Sequence, residues 1–323
     1  MKPVARLPLA VAAWIAAGAL LPLPASAQAR FYWKSLAGGN AVPLIVNSTS
    51  GNANPFDPGM VVAPGAKIEA TLATAGYART FSLLDRGGMV AVLLPMGRIA
   101  GEVTTAGTTF NESARGFGDP MVEFNLNVIG PRAQKNLVDV LRYTPRFSVD
   151  VLADLAFPIG EYDSSKPLNL GQNRWYGRVG LPIIWQLGSW VPGRRTTLEA
   201  IPAVWLFGPN DDYVGQRLTT DPLFQLEAHA TRDFTSSLWG SLDGVWYNGG
   251  QASVDGVEGE PLDNLAVGLT LGYQINKNLS FMLSYKSTID DRAPGDLQLD
   301  GLSVTFIYGW HALIEGARRL EGE

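Results

Sequence analysis

Residues 146–157 read Arg-Phe-Ser-Val-Asp-Val-Leu-Ala-Asp-Leu-Ala-Phe, and this alternation restricts the possible folds more than any other stretch of the chain. Successive side chains of a β-strand point to opposite faces. Phe147, Val149, Val151, Ala153, Leu155 and Phe157 therefore share an apolar face, while Arg146, Ser148, Asp150, Leu152, Asp154 and Ala156 share one that carries charge. The run is longer than most soluble strands and close to what a tilted strand needs to cross a bilayer. Similar runs recur to the end of the chain, so the expected fold is all-β. The apolar faces point either into a core or out into lipid.

The beginning of the chain bears on that choice. Lys2 and Arg6 precede an apolar stretch from Leu7 to Leu23, and Ala25-Ser26-Ala27 is an A-x-A cleavage signal. Residues 1–27 thus read as a secretory signal peptide, with a mature chain beginning at Gln28. No later stretch has 18 continuous apolar residues, so no transmembrane helix is expected. With 0 cysteines there is neither a disulfide framework nor a thiolate for metal or nucleophilic chemistry. A net charge of −5 argues against nucleic acid as a partner, because phosphate binding needs a basic face. A mean hydropathy of +0.06 suits a barrel that alternates apolar and polar positions better than a helical membrane protein.

Eleven strand candidates follow residue 65, near 66–82, 88–99, 117–129, 144–158, 173–187, 195–208, 222–234, 237–248, 262–275, 278–288 and 298–310. Gly, Pro, Asn and Asp fill the gaps, as turns require. Short gaps at 85–88, 188–194, 233–237 and 276–278 alternate with long ones at 100–116, 159–172, 209–221, 249–261 and 289–297. Outer-membrane barrels have short periplasmic turns and long external loops. The link at 130–143 breaks the pattern and suits one short helix at the periplasmic rim. If 85–88 is periplasmic, something before residue 66 must cross outward. Either residues 29–48 contain a twelfth strand, or they thread the lumen as a plug. An even count favours an up-and-down antiparallel transmembrane β-barrel of about twelve strands. Its first and last strands must close, since an unpaired edge cannot sit in hydrocarbon. The Gly- and Pro-rich region 49–65 then forms an extended loop able to fold inward. The expected organisation is a signal peptide (1–27), an N-terminal strand and candidate plug (28–65), a barrel (66–310) and a periplasmic tail (311–323).

Sibling strands orient the faces. In 302–310, Leu302, Val304, Phe306, Tyr308 and Trp310 share one side; in 265–273, Leu265, Val267, Leu269, Leu271 and Tyr273 do so. Phe147, Phe157, Trp175, Tyr273, Phe306, Tyr308 and Trp310 are the expected lipid-facing and girdle residues. A soluble lipocalin-like barrel would hold its apolar residues inside. The signal peptide, strand length, strand count and aromatic placement favour the membrane, and hence the outer membrane of a Gram-negative bacterium.

The inward set expected to line a pore is Glu123, Arg146, Asp150, Asp154, Arg174, Arg178, Glu199, Glu227, His229, Asp243 and Lys286. Opposite charges on strands about 4.8 Å apart can pair across the wall, or line a constriction that selects solutes. Hydrolase chemistry has little to draw on. The only histidines are His229 and His311, and no G-x-S-x-G elbow is present beyond the superficial Gly240-Ser241-Leu242-Asp243-Gly244. Asp211-Asp212 and Asp290-Asp291 read as solvated loop charges. No metal-ligand spacing, P-loop or dinucleotide fingerprint occurs, so neither metal nor cofactor is expected.

A series of loop motifs carries further information: Asn54-Pro55-Phe56-Asp57-Pro58, Gly116-Phe117-Gly118-Asp119-Pro120, Pro158-Ile159-Gly160-Glu161-Tyr162 and Asn169-Leu170-Gly171-Gln172-Asn173-Arg174-Trp175, then Asp221-Pro222, Gly249-Gly250 and Tyr308-Gly309-Trp310. In order and spacing the series resembles the outer-membrane family of the MetA pathway of phenol degradation, over nearly the whole mature chain. The resemblance implies a barrel channel for aromatic hydrocarbons and related small organic molecules, without fixing phenol as cargo. One departure is the continuation from His311 to Glu323, where such barrels usually end on their final aromatic residue. The leading expectation is passive uptake of small organic solutes, with lipid, lipopolysaccharide and the barrel-assembly machinery as partners. The alternatives are a plugged structural or adhesive barrel and a barrel hydrolase using His229.

Overall fold

The computed structural model describes residues 28–105, 108–289 and 295–321. The signal peptide reading and the pair Asp290-Asp291 lie outside the described residues. Its elements are β1 (Asn40–Gly51), β2 (Ala66–Leu83), β3 (Arg86–Thr105), β4 (Thr108–Phe117), β5 (Met121–Ile129), α1 (Leu137–Arg142), β6 (Phe147–Ala156), β7 (Tyr176–Gly180), β8 (Ile183–Leu187) and β9 (Thr196–Phe207). They continue as β10 (Asn210–Tyr213), β11 (Gln216–Thr220), β12 (Leu223–Asp233), β13 (Leu238–Gly249), β14 (Ala252–Val254), β15 (Val257–Glu258), β16 (Leu262–Gln274), β17 (Leu279–Thr288), β18 (Leu299–Trp310) and α2 (Ala312–Glu321).

The 14 strands of the main sheet form a closed antiparallel wall of 12 staves, because β4 with β5 and β7 with β8 each make one interrupted stave. β1 pairs with β18 along its whole length, from Asn40 opposite Trp310 to Gly51 opposite Leu299. β9 pairs with β12, which completes the ring. Each interruption carries a proline, which cannot donate to a ladder. Pro120 follows the break after β4, and Pro182 sits between β7 and β8, where its carbonyl accepts from Asp150 N. The twelfth strand expected within 29–48 begins at Asn40 and runs to Gly51.

Three of the expected long loops are largely strand. Residues 100–105 and 108–116 continue the β3–β4 hairpin, and the stretches at 209–221 and 249–261 form a separate four-stranded sheet of β10, β11, β14 and β15. Once a hairpin leaves the hydrocarbon it no longer needs an apolar face, so its period-two signal fades while its pairing persists. The 130–143 link does contain a short helix, α1, with a capping box between Asn136 and Asp139.

Burial follows the alternation. Along β6, Ser148, Asp150, Leu152, Asp154 and Ala156 are buried, whereas Phe147, Val151 and Leu155 are exposed. Leu269 on β16 is 64% exposed while its neighbours Gly268 and Thr270 are buried. A water-soluble protein does not spread such an apolar belt around its outside; a barrel wall in lipid does. The belt ends in aromatics: Tyr308 lies beside Trp310 (5.8 Å between centroids) at one rim, and Phe157 beside Trp175 (5.2 Å) at the other. Tyr273 and Phe306 lie on the same outward face.

Val151→Arg, on the lipid face of β6, should cost about 2–4 kcal/mol if it sits at the bilayer midplane. Unfolding by urea in lipid vesicles checks this. Leu152→Val on the opposite face should cost about 1 kcal/mol.

Candidate functional site

Strand register sets the polar groups of the interior abreast of one another. Glu123 on β5 faces Asp154 on β6, and Asp154 faces Arg178 on β7. The Arg178 Nε donates to Asp154 Oδ2 at 2.6 Å, and its guanidinium reaches Glu227 at 3.4 Å and Glu123 at 4.0 Å while lying over the Trp205 ring. Glu227 also accepts from Gln225, whose amide oxygen accepts from Trp205 Nε1. Farther round the wall, His229 is flanked by Asp243 on β13 and Glu199 on β9. Its Nδ1 lies 2.7 Å from Asp243 Oδ1, and Asp243 also accepts from Ser241 and Thr270. A cation bonded to carboxylates on either side is the arrangement that makes a buried charge tolerable.

Of the residues anticipated from sequence, Glu123, Asp150, Asp154, Arg174, Arg178, Glu199, Glu227, His229 and Asp243 are buried on inward faces, and Lys286 is half-buried on the inward face of β17. Arg146 departs from that expectation. It precedes β6, its side chain is exposed, and among the described residues only its carbonyl is engaged, accepting from Gln186 N. Its parity matched Asp150, but the stave reaches the rim before it.

The hydrolase geometry is not assembled. Ser241 donates its hydroxyl proton to Asp243, not to His229, and the other imidazole nitrogen faces Glu227 Oε2 at 3.8 Å. A nucleophile needs its base within hydrogen-bond reach, and His229 has no hydroxyl at that nitrogen among the described residues. His311, expected in a polar tail, is buried, with Nε2 3.0 Å from the Ala37 carbonyl.

Residues before β1 contribute what the sequence reading missed. Arg30 donates to Asp233 at 2.6 Å and to Thr231 at 3.1 Å, and its backbone N–H donates to Glu199. Its guanidinium lies between two indoles, 4.4 Å from the Trp33 centroid and 4.3 Å from that of Trp239. Arg195 stands over the other side of this group, 5.2 Å from Trp33 and 5.4 Å from Trp190. Burial lowers the Arg30 guanidinium to about 10, against the raising effect of Asp233, so it stays cationic at neutral pH. Desolvated cation–π contacts contribute about 2 kcal/mol each. Lys34 pairs with Asp150, and Trp33 Nε1 donates to Glu199 at 2.8 Å. Trp239 needs room: a Cβ on the neighbouring Gly272 would lie 2.0 Å from its ring. The aromatic run Phe31-Tyr32-Trp33 was the sequence signal available.

At the opposite end the loop motifs converge. A Cβ on Gly160 would lie 2.6 Å from the Gly118 backbone, and one on Gly171 would lie 2.7 Å from the Gly160 backbone. Three chain segments therefore stack main chain on main chain, which only glycine permits. Asp119 ties the stack by accepting from Gly160 N at 2.9 Å and Gln172 N at 2.8 Å. Burial pushes its carboxyl up to about 6, although those N–H groups act to lower it. The first motif enters from the 52–65 loop: Asn54 donates to the Asn169 carbonyl, and the two carboxylate oxygens of Asp57 both accept from Arg174 Nη2, at 2.9 and 3.0 Å. Arg174 also donates to Thr220. Motifs more than 100 residues apart thus form one knot at the external mouth.

The sequence profile of the MetA-pathway of phenol degradation family matches residues 46–306, a span that holds this knot and nearly all of the barrel. This chain belongs to that family. Among solved structures it is similar to the COG4313 outer membrane channel from Pseudomonas putida F1, at 15% identity and a TM-score of 0.68, over 86% of this chain and 98% of that one. It also matches the β domain of the Bordetella autotransporter BrkA at 11% identity and a TM-score of 0.47, covering 85% and 100% of the two chains. A monoaromatic hydrocarbon channel, TodX, matches at 10% identity and a TM-score of 0.32, covering 85% and 91%. The first likeness shows the fold, that of an outer-membrane barrel. No curated protein matches.

In this family member, Asp57→Ala would strand a buried guanidinium and should cost about 3–5 kcal/mol, read as a lowered urea midpoint. Gly160→Val should release the 157–172 segment without opening the wall, so external protease should cut that segment while the heat-dependent gel shift of the barrel survives.

Proposed function

We propose that the protein is a passive outer-membrane channel for small organic molecules, aromatic or otherwise apolar. The observation that carries this reading is a closed wall with an outward apolar belt around a polar, charge-paired interior. An interior of that kind is what a solute path through a barrel requires. The pore lining is then the inward set from Glu123 to Lys286, excluding Arg146. The residues from Gln28 to Leu36 act as a periplasmic plug, held by the Arg30 sandwich and the Lys34–Asp150 pair. The loop holding Phe56, Asp57 and Met60, all buried, narrows the path from outside. Lipopolysaccharide and lipid contact the outer belt, and the barrel-assembly machinery inserts the chain.

Because the plug reading and the 52–65 loop both narrow the path, a structural barrel without flux is the reading to test against. Removal of residues 29–36, with the cleavage site retained, should raise single-channel conductance several-fold in planar bilayers. The double substitution Arg30→Ala with Trp33→Ala should shift it in the same direction. Unchanged permeability in both, together with no flux of any neutral solute through the wild type, would favour the structural barrel.

A further inference from the structure

Above the knot, the external mouth contains a cavity of about 540 Å³. Small-molecule sites fall within roughly 300–1,000 Å³, are mostly apolar and carry a few placed polar groups. Here Val61, Ile68, Leu168 and Leu218 supply apolar walls drawn from four separate segments of the chain. Two lining residues have unused polar atoms. The Gln172 amide donates to the Leu170 carbonyl, and among the described residues neither its Oε1 nor the Tyr213 hydroxyl has a partner. Tyr162, the neighbouring phenol, is already committed: it accepts from Asn210 and donates to the Asp212 carbonyl.

Charge narrows the ligand class. Among the described residues the lining contains Asp57, Glu102 and Glu112 but no Lys, Arg or His. The nearby cations are engaged, Arg174 with Asp57 and Lys166 with Glu112. An anion would face carboxylates and find no counter-charge, at a full desolvation cost. A neutral apolar molecule bearing one hydroxyl meets both a donor, Tyr213, and an acceptor, Gln172. Burial raises the Tyr213 hydroxyl, which keeps it protonated as a donor.

We propose that this external cup is a capture site selective for neutral, mostly apolar molecules with a hydroxyl group, and that it discriminates against their carboxylate counterparts. The site rests on the channel reading for its role in uptake, but not for its binding. The test uses the full mature chain in lipid nanodiscs, with empty nanodiscs to subtract partitioning. The probes are 2-naphthalenemethanol, 2-naphthoate and naphthalene, followed by naphthalene fluorescence. The alcohol should bind at least tenfold more tightly than the carboxylate. Tyr213→Phe should weaken the alcohol about fivefold, the size of one net hydrogen bond, and leave naphthalene unchanged. Val61→Trp should fill the cup and abolish saturable binding of the alcohol and naphthalene alike. Equal binding of alcohol and carboxylate, or alcohol binding that both variants leave intact, would overturn the proposal. Proteoliposome flux of a neutral solute separates the two readings. Flux without saturable alcohol binding sinks the cup alone; binding without flux sinks the channel and supports the cup.

Discussion

Everything in this molecule depends on the pairing of β1 with β18. In hydrocarbon no water compensates an unpaired N–H or C=O, so a sheet that crosses a membrane must close on itself. The seam runs in register from Asn40–Trp310 to Gly51–Leu299, joining the beginning and end of the wall through partners 248 to 270 positions apart. Closure sets the interior. Once the ring is complete, every inward residue has fixed neighbours, and Glu123, Asp154 and Arg178 come side by side on consecutive staves. Their mixture of signs is then a condition for burying them at all, since an uncompensated charge in that space would be prohibitive.

The two ends of the barrel solve the same problem with different materials. At the periplasmic end the incoming chain supplies Arg30 and Lys34 to carboxylates that wall strands present, Asp233 and Asp150. Aromatic rings shield the arginine from both sides. At the external end the contacts are backbone on backbone, through Gly118, Gly160 and Gly171, with Asp119 bridging and the Asp57–Arg174 pair fastening the 52–65 loop. The first arrangement rests on side-chain contacts; the second is built into the main chain.

The alternation at residues 146–157 marks a boundary between what was legible and what was not. Lipid face and interior face could be assigned strand by strand, because a period of two follows from strand geometry alone. The outward positions of Phe147, Val151 and Leu155 and the burial of Asp150 and Asp154 followed directly. Where a stave ends is a different matter: Arg146 has the right parity and lies past the rim, and residues 100–105 and 108–116 look like loop and are paired. The loop motifs could be seen as a series, but their glycines gave no hint that they touch. Main-chain contact between distant segments leaves no periodic trace.

By itself the sequence determined the all-β class, an even-stranded membrane wall and which face of each strand is apolar, all of which follow from local composition and strand periodicity. The tertiary structure alone decided which charges meet, where Arg30 lodges, how three glycine motifs become one knot and where an apolar cup is left at the mouth. Those contacts join residues distant in sequence, and they exist only after closure has set the register of every strand against its neighbours.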